Sequence, residues 1–136
     1  MERSLRRRHV LRAALAIIST AWVVGCAAPQ PSVAILYNRT GVALALAPGV
    51  VVPACTDRAF TQDELDKAAT SYLNAPDDSW VPPGAANLGL NVLGDPRPKN
   101  GGPLSVVVPG GALPWSVDGP IASGSLPACG GTPMTE

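Results

Sequence analysis

Proline and glycine fall almost wholly in one part of this 136-residue chain. Residues 26–136 hold all 15 prolines and 13 of the 14 glycines, so 28 of those 111 positions are one or the other. That fraction approaches the range where low-complexity disorder sets in. Proline cannot donate to a sheet ladder or sit inside a helix, so regular elements must be short and bounded by it. Several apolar runs lie between these breaks, and they argue for a fold rather than disorder.

Ser32 to Asn38, rich in Val, Ile, Leu and Tyr, reads as a strand. Asn38-Arg39-Thr40-Gly41 reads as a turn and Val42 to Ala47 as a second apolar run, which together predict a hairpin. Pro48-Gly49 breaks the run, and Val50 to Cys55 resumes with β-branched residues that end at Pro53. Leu88 to Leu93, Leu104 to Val108 and Leu113 to Val117 are further strand candidates, each bounded by Gly, Pro, Asp or Asn. Short apolar runs do not separate strand from buried helix, so length and flanking residues decide here. Val50-Val51-Val52-Pro53 recurs as Val106-Val107-Val108-Pro109, which we read as two similar strands ending at proline.

One helix is predicted, from Gln62 to Asn74. Leu65, Ala68, Ala69, Tyr72 and Leu73 repeat as a single apolar face. Thr61 and Glu64 form a capping-box pair, and Phe60 with Leu65 fits a hydrophobic staple. Pro76 follows the end. An apolar helical face needs a sheet to cover. The expected fold is therefore a small sheet-rich α+β domain, mostly β and loop-rich, with one packed amphipathic helix.

The first 25 residues differ from the rest. They carry five arginines against Glu2, a net +4, while residues 26–136 carry five basic against nine acidic side chains, a net −4. Behind the arginines, Ala13 to Gly25 is apolar except for Ser19 and Thr20. A membrane-spanning helix needs roughly 20 such residues, and this run is shorter. A basic stub followed by a short apolar run is the pattern of a secretory signal.

The run ends in Val23-Val24-Gly25-Cys26, which resembles the lipobox of bacterial lipoproteins, with Val23 where Leu is commoner. The resemblance implies that the Cys26 thiol is alkylated with a diacylglyceryl group and that signal peptidase II then cuts before it. Small residues there let the backbone enter the peptidase. Cleavage by the ordinary signal peptidase, leaving Cys26 as a free thiol, is the alternative. Arg7-Arg8-His9-Val10-Leu11-Arg12 resembles the twin-arginine export signal, and it fits a generic basic stub passing through the Sec channel equally well. The implied organisation is a signal peptide over 1–25, a lipidated Cys and proline-bearing tether over 26–32, and a globular domain over 33–136. The implied location is the extracytoplasmic face of the cell membrane. The mature part is similar to small, proline-rich, uncharacterised lipoproteins of high-GC bacteria, with no signature that fixes a function.

The three cysteines follow from this reading. If Cys26 carries lipid, Cys55 and Cys129 remain, and an oxidising compartment lets them form a disulfide. Both lie in Pro-Ala-Cys. A shared metal is the competing use, but two isolated cysteines without a neighbouring His make a poor zinc site.

Chemistry is mostly excluded. The only histidine, His9, leaves with the signal peptide. That removes Ser-His and Cys-His pairs and His-ligated metals from the mature domain. The Gly-x-Ser-x-Gly elbow, Ser-x-x-Lys and a phosphate-loop ending are absent. The double glycines at 101–102, 110–111 and 130–131 read as turns. Five scattered basic residues in an acidic domain make no nucleic-acid surface. Asp57, Asp63, Glu64 and Asp66 cluster at the helix start and Asp77-Asp78 follow its end; they suit helix capping and a turn better than calcium or acid–base chemistry. No catalytic residue, metal ligand or cofactor is assigned. Asn38-Arg39-Thr40 matches a glycosylation acceptor, a match of little weight in a bacterial chain.

Trp80 and Trp115 stand beside prolines. Exposed, they would form a binding platform; the commoner role for tryptophan in a small domain is core. Two functional classes follow. One is a non-enzymatic envelope module that binds a protein or cell-wall component. The other is a ligand-binding protein or hydrolase that works with carboxylates and aromatics alone.

Overall fold

The structure is a computed structural model that describes residues 28–94 and 102–135. The export signal and Cys26 lie outside the described residues. The elements run β1 (Ser32–Arg39), β2 (Ala43–Ala47), β3 (Val50–Val52), β4 (Asp57–Thr61), α1 (Gln62–Asn74), β5 (Ala85–Asn87), β6 (Leu104–Pro109) and β7 (Trp115–Asp118). This is the sheet-rich α+β domain expected. No helix of the described residues is long and apolar enough to cross a membrane.

Two sheets form, one ordered β4-β1-β6-β7 and the other β3-β2-β5. In the first, β1 pairs antiparallel with β4 and parallel with β6. In the second, β2 pairs antiparallel with β3 and parallel with β5. The expected β1–β2 hairpin is therefore wrong: the two strands belong to different sheets. Side chains at Ala34, Leu36 and Asn38 alternate inward along β1, and Asn38 ends the row. Its amide takes over where a hairpin ladder would begin. Nδ2 donates to the carbonyls of Val42, Val52 and Pro53, at 2.8, 3.1 and 3.0 Å. Oδ1 accepts from the N–H and hydroxyl of Thr40. Those bonds turn the chain out of one sheet and into the other.

A single apolar cluster joins the two sheets to the helix. Ala34, Leu36, Leu44, Leu46, Val52, Phe60, Leu65, Leu93, Val106 and Val108 are its buried members. Helix α1 begins with the predicted capping box: Glu64 N–H donates to Thr61 Oγ1, and Thr61 N–H donates to Glu64 Oε2. Its buried stripe is narrower than its apolar pattern, with Leu65 and Ala68 inside while Ala69 and Leu73 face solvent. No residue of the C-terminal half of the helix beyond Ala68 is fully buried, and Leu73 is 76 % exposed.

Other expectations shift. Leu88 to Leu93 is not a strand; Leu90–Leu93 coil as a 3-10 turn between Gly89 and Gly94, both at positive φ. Strands β4 and β5 were not expected. The predicted Leu113–Val117 strand begins two residues later, at Trp115. The two Val-Val-Val-Pro copies occupy unlike places, β3 at a sheet edge and β6 inside the other sheet.

Beyond β7 the chain runs back across the outer face of the larger sheet as a strap. Ser105 Oγ donates to Gly119 O, Arg39 Nε donates to Pro127 O, and Gly130 N–H donates to Arg39 O. The double glycines allow the backbones to touch. A Cβ at Gly110 would overlap the carbonyl oxygen of Gly130. Gly41 and Gly111 N–H groups bond to Gly131 O and Thr132 O. The strap is locked by the Cys55–Cys129 disulfide, with Cα atoms 5.6 Å apart and a sequence separation of 74. The expected cysteine pairing is thus present, and the two Pro-Ala-Cys copies meet in it. Cys55 holds a left-handed φ of 59°, a conformation non-glycine residues seldom adopt.

Candidate functional site

Strand alternation places Tyr37 and Arg39 on the outer face of the larger sheet, opposite the inward Leu36 and Asn38. Asp57 is the register partner of Tyr37, so its side chain emerges on that same face. The strap passes over this end of the sheet and carries Ile121, Ser123 and Leu126. Between them lies a cavity of about 300 Å³, lined also by Cys55 and Thr56. That is near the lower end of the range for small-ligand sites.

Its walls are held from several sides. Arg39 is half-buried, and its Nε–H is fixed 2.8 Å from Pro127 O. That bond uses one of the five guanidinium donors and fixes the plane of the group, and the terminal nitrogens keep their donors. Thr56 Oγ1 donates to Pro53 O. The disulfide joins the β4 side of the cavity to the strap side. Among the described residues, Arg39 makes no salt bridge, with Asp57 or any other carboxylate. One cation and one anion therefore line the same cavity without neutralising each other.

The sequence-derived candidates fall elsewhere. Trp80 lies half-buried on a 3-10 turn after α1 and meets Tyr72 edge-on, ring centroids 6.2 Å apart. Its indole Nε1 is buried without a hydrogen-bond partner. Trp115 sits on the edge strand β7, 41 % exposed. The two tryptophans belong to different elements, and neither lines the Arg39 cavity. A second cavity, of about 530 Å³, is lined by Leu88, Asn91, Val92, Leu113, Pro114 and Met134 among others, and it too omits both.

Two acidic residues take the capping and turn roles the sequence suggested, whereas Asp57 lines the Arg39 cavity instead. Glu64 caps α1, Asp77 caps the following turn by accepting from Ser79 N–H, and Asp78 accepts from Asn87 Nδ2. Among the described residues, no group of three or more His, Cys, Asp or Glu side chains is placed to hold a metal. Asn38 is fully buried with its amide bonded inside the fold, so the folded domain does not present it at the surface.

Sequence reading did not single out Tyr37 or Arg39, and it took Asp57 as part of a helix-capping cluster. The available signal was the odd-numbered face of β1, where an aromatic and a cation follow each other at strand spacing. Compared with protein-family models, curated proteins and solved structures, the chain has no match in any of the three.

Proposed function

We propose that the chain is a lipid-anchored, extracytoplasmic binding module of the cell envelope, tethered through Cys26 and non-enzymatic. The observation that carries this reading is the polarity of β1. The tether enters at Ser32, and the cavity residues Tyr37 and Arg39 stand at the strand's other end. Eight extended residues separate those ends by roughly 25 Å. A lipid on Cys26 would sit within roughly 20 Å of Ser32, the reach of the six residues before it. The cavity residues then stand at the end of β1 far from the tether, within reach of a partner in the envelope. The Cys55–Cys129 disulfide fits the oxidising compartment this requires.

Two measurements test the reading. Fatty-acid labelling of cells should mark the wild type and leave Cys26→Ser unlabelled; equal labelling overturns the anchor. A photo-crosslinker at Ser123 should capture a reproducible envelope component that Arg39→Gln loses. Capture that ignores Arg39, or no capture at all, overturns the binding role.

A further inference from the structure

We infer that the cavity between β1, β4 and the strap binds a zwitterion, a small molecule bearing both an ammonium and a carboxylate, as an amino acid or short peptide does. The inference rests on the binding-module reading and names the ligand class of that site.

Asp57 faces Tyr37 across the β1–β4 pair, and Arg39 lies two residues further along the same face. Such diagonal neighbours have Cα atoms roughly 7–8 Å apart, close enough for long side chains to meet. Arg39 and Asp57 nonetheless form no salt bridge. The Nε bond to Pro127 O holds the guanidinium toward the strap. With Asp57 exposed, a direct ion pair between the two would contribute little, so a ligand that meets each charge separately gives up almost nothing by keeping them apart.

The guanidinium offers a planar fork suited to a carboxylate. The Asp57 carboxylate accepts from an ammonium. Between them the Tyr37 side chain, Ile121 and Leu126 provide an apolar surface for a short side chain. The volume suits a dipeptide or a free amino acid. A larger peptide would have to leave through the mouth of the cavity. A ligand with only one charge leaves the opposite charge of the site without a partner, so both ends are read.

The test uses the full chain in detergent micelles and four probes: Ala-Ala, N-acetyl-Ala-Ala, Ala-Ala-amide and free alanine. Backbone amide shifts of Tyr37, Asp57 and Ser123 report binding. Ala-Ala should bind at least about tenfold more tightly than either blocked peptide, the scale of one charge-assisted hydrogen bond. The variants then separate the two ends. Arg39→Gln should abolish discrimination against Ala-Ala-amide while keeping that against N-acetyl-Ala-Ala. Asp57→Asn should do the reverse, and Arg39→Lys should retain part of the wild-type preference. The ratio of Ala-Ala to alanine affinity tells a peptide from a free amino acid as the source. Equal binding of the charged and blocked peptides, or binding of none, overturns the inference. The module reading is judged separately, on the Arg39-dependent crosslink, which needs no knowledge of the ligand's class.

Discussion

Asn38 Oδ1 accepts two hydrogen bonds from one residue, Thr40, at 2.9 Å from its N–H and 2.7 Å from its hydroxyl. On its other side the same amide donates to three carbonyls drawn from the start of β2 and the end of β3. This buried polar knot ties the two sheets together at their common corner. Asn38→Ala removes five hydrogen bonds at a fully buried side chain and takes the acceptor from Thr40 N–H, while Pro53 O keeps Thr56 Oγ1 and Val42 O keeps the Thr40 hydroxyl. We expect a loss of about 3 kcal/mol or more, read as a lower urea midpoint with little change in slope. A loss under about 1 kcal/mol would mean water replaces the amide.

The contact between Gly110 and Gly130 sets a second prediction. Gly110→Ala drives a Cβ into backbone, which cannot rotate away as a side chain can. The strap must lift, and we expect a cost of about 1–3 kcal/mol. Gly111→Ala is the control: its Cβ meets open space, and only its φ of +72° opposes the change. Gly110→Ala should be the worse of the two in thermal melts.

Reduction of the disulfide should cost roughly 4 kcal/mol by the chain-entropy relation for a loop of this size. The loss should be local before it is global. Amides of Gly41, Gly111 and Gly130, which bond to or from the strap, should exchange faster with reductant, while those of β2 keep their protection. Uniform acceleration would show that the strap does not open as a unit.

The helix offers a paired test of its narrow buried stripe. Leu65→Ala removes a buried core side chain and should cost about 2–5 kcal/mol. Leu73→Gln changes a side chain that is already mostly in water and should stay within about 0.5 kcal/mol of wild type. Thr61→Ala should fall between, near 1 kcal/mol, through loss of the cap.

Which parts of this fold were legible follows the range of the interactions behind them. Helix α1 was readable to the residue because its period, its Thr61–Glu64 cap and its stop at Pro76 are all local. β1, β3 and β6 announced themselves as runs of Val, Ile and Leu. β4 did not, because Asp57-Arg58-Ala59-Phe60-Thr61 has strand identity only through its pairing with β1. β5, with Ala85-Ala86-Asn87, is a strand only because β2 lies beside it. The β1–β2 hairpin was misread because Asn38 looks like a turn residue, whereas here it is a buried junction. The cavity has the same character. Arg39, Asp57 and Leu126 are brought together by one strand pair, one disulfide and one strap, and no window of sequence contains all three.

The parallel pairing of β1 with β6 also bears on how the molecule comes into being. Ala34 lies beside Leu104, seventy positions further along. Closing so large a loop costs chain entropy before any contact offsets it. The β1–β6 pairing is therefore the slow, non-local part of the larger sheet, whereas β1 and β4 are close in sequence. Until Leu104 to Pro109 has docked, β1 has one of its two neighbours missing. Throughout that interval the edge of β1 that β6 will cover stays open to any other strand it meets.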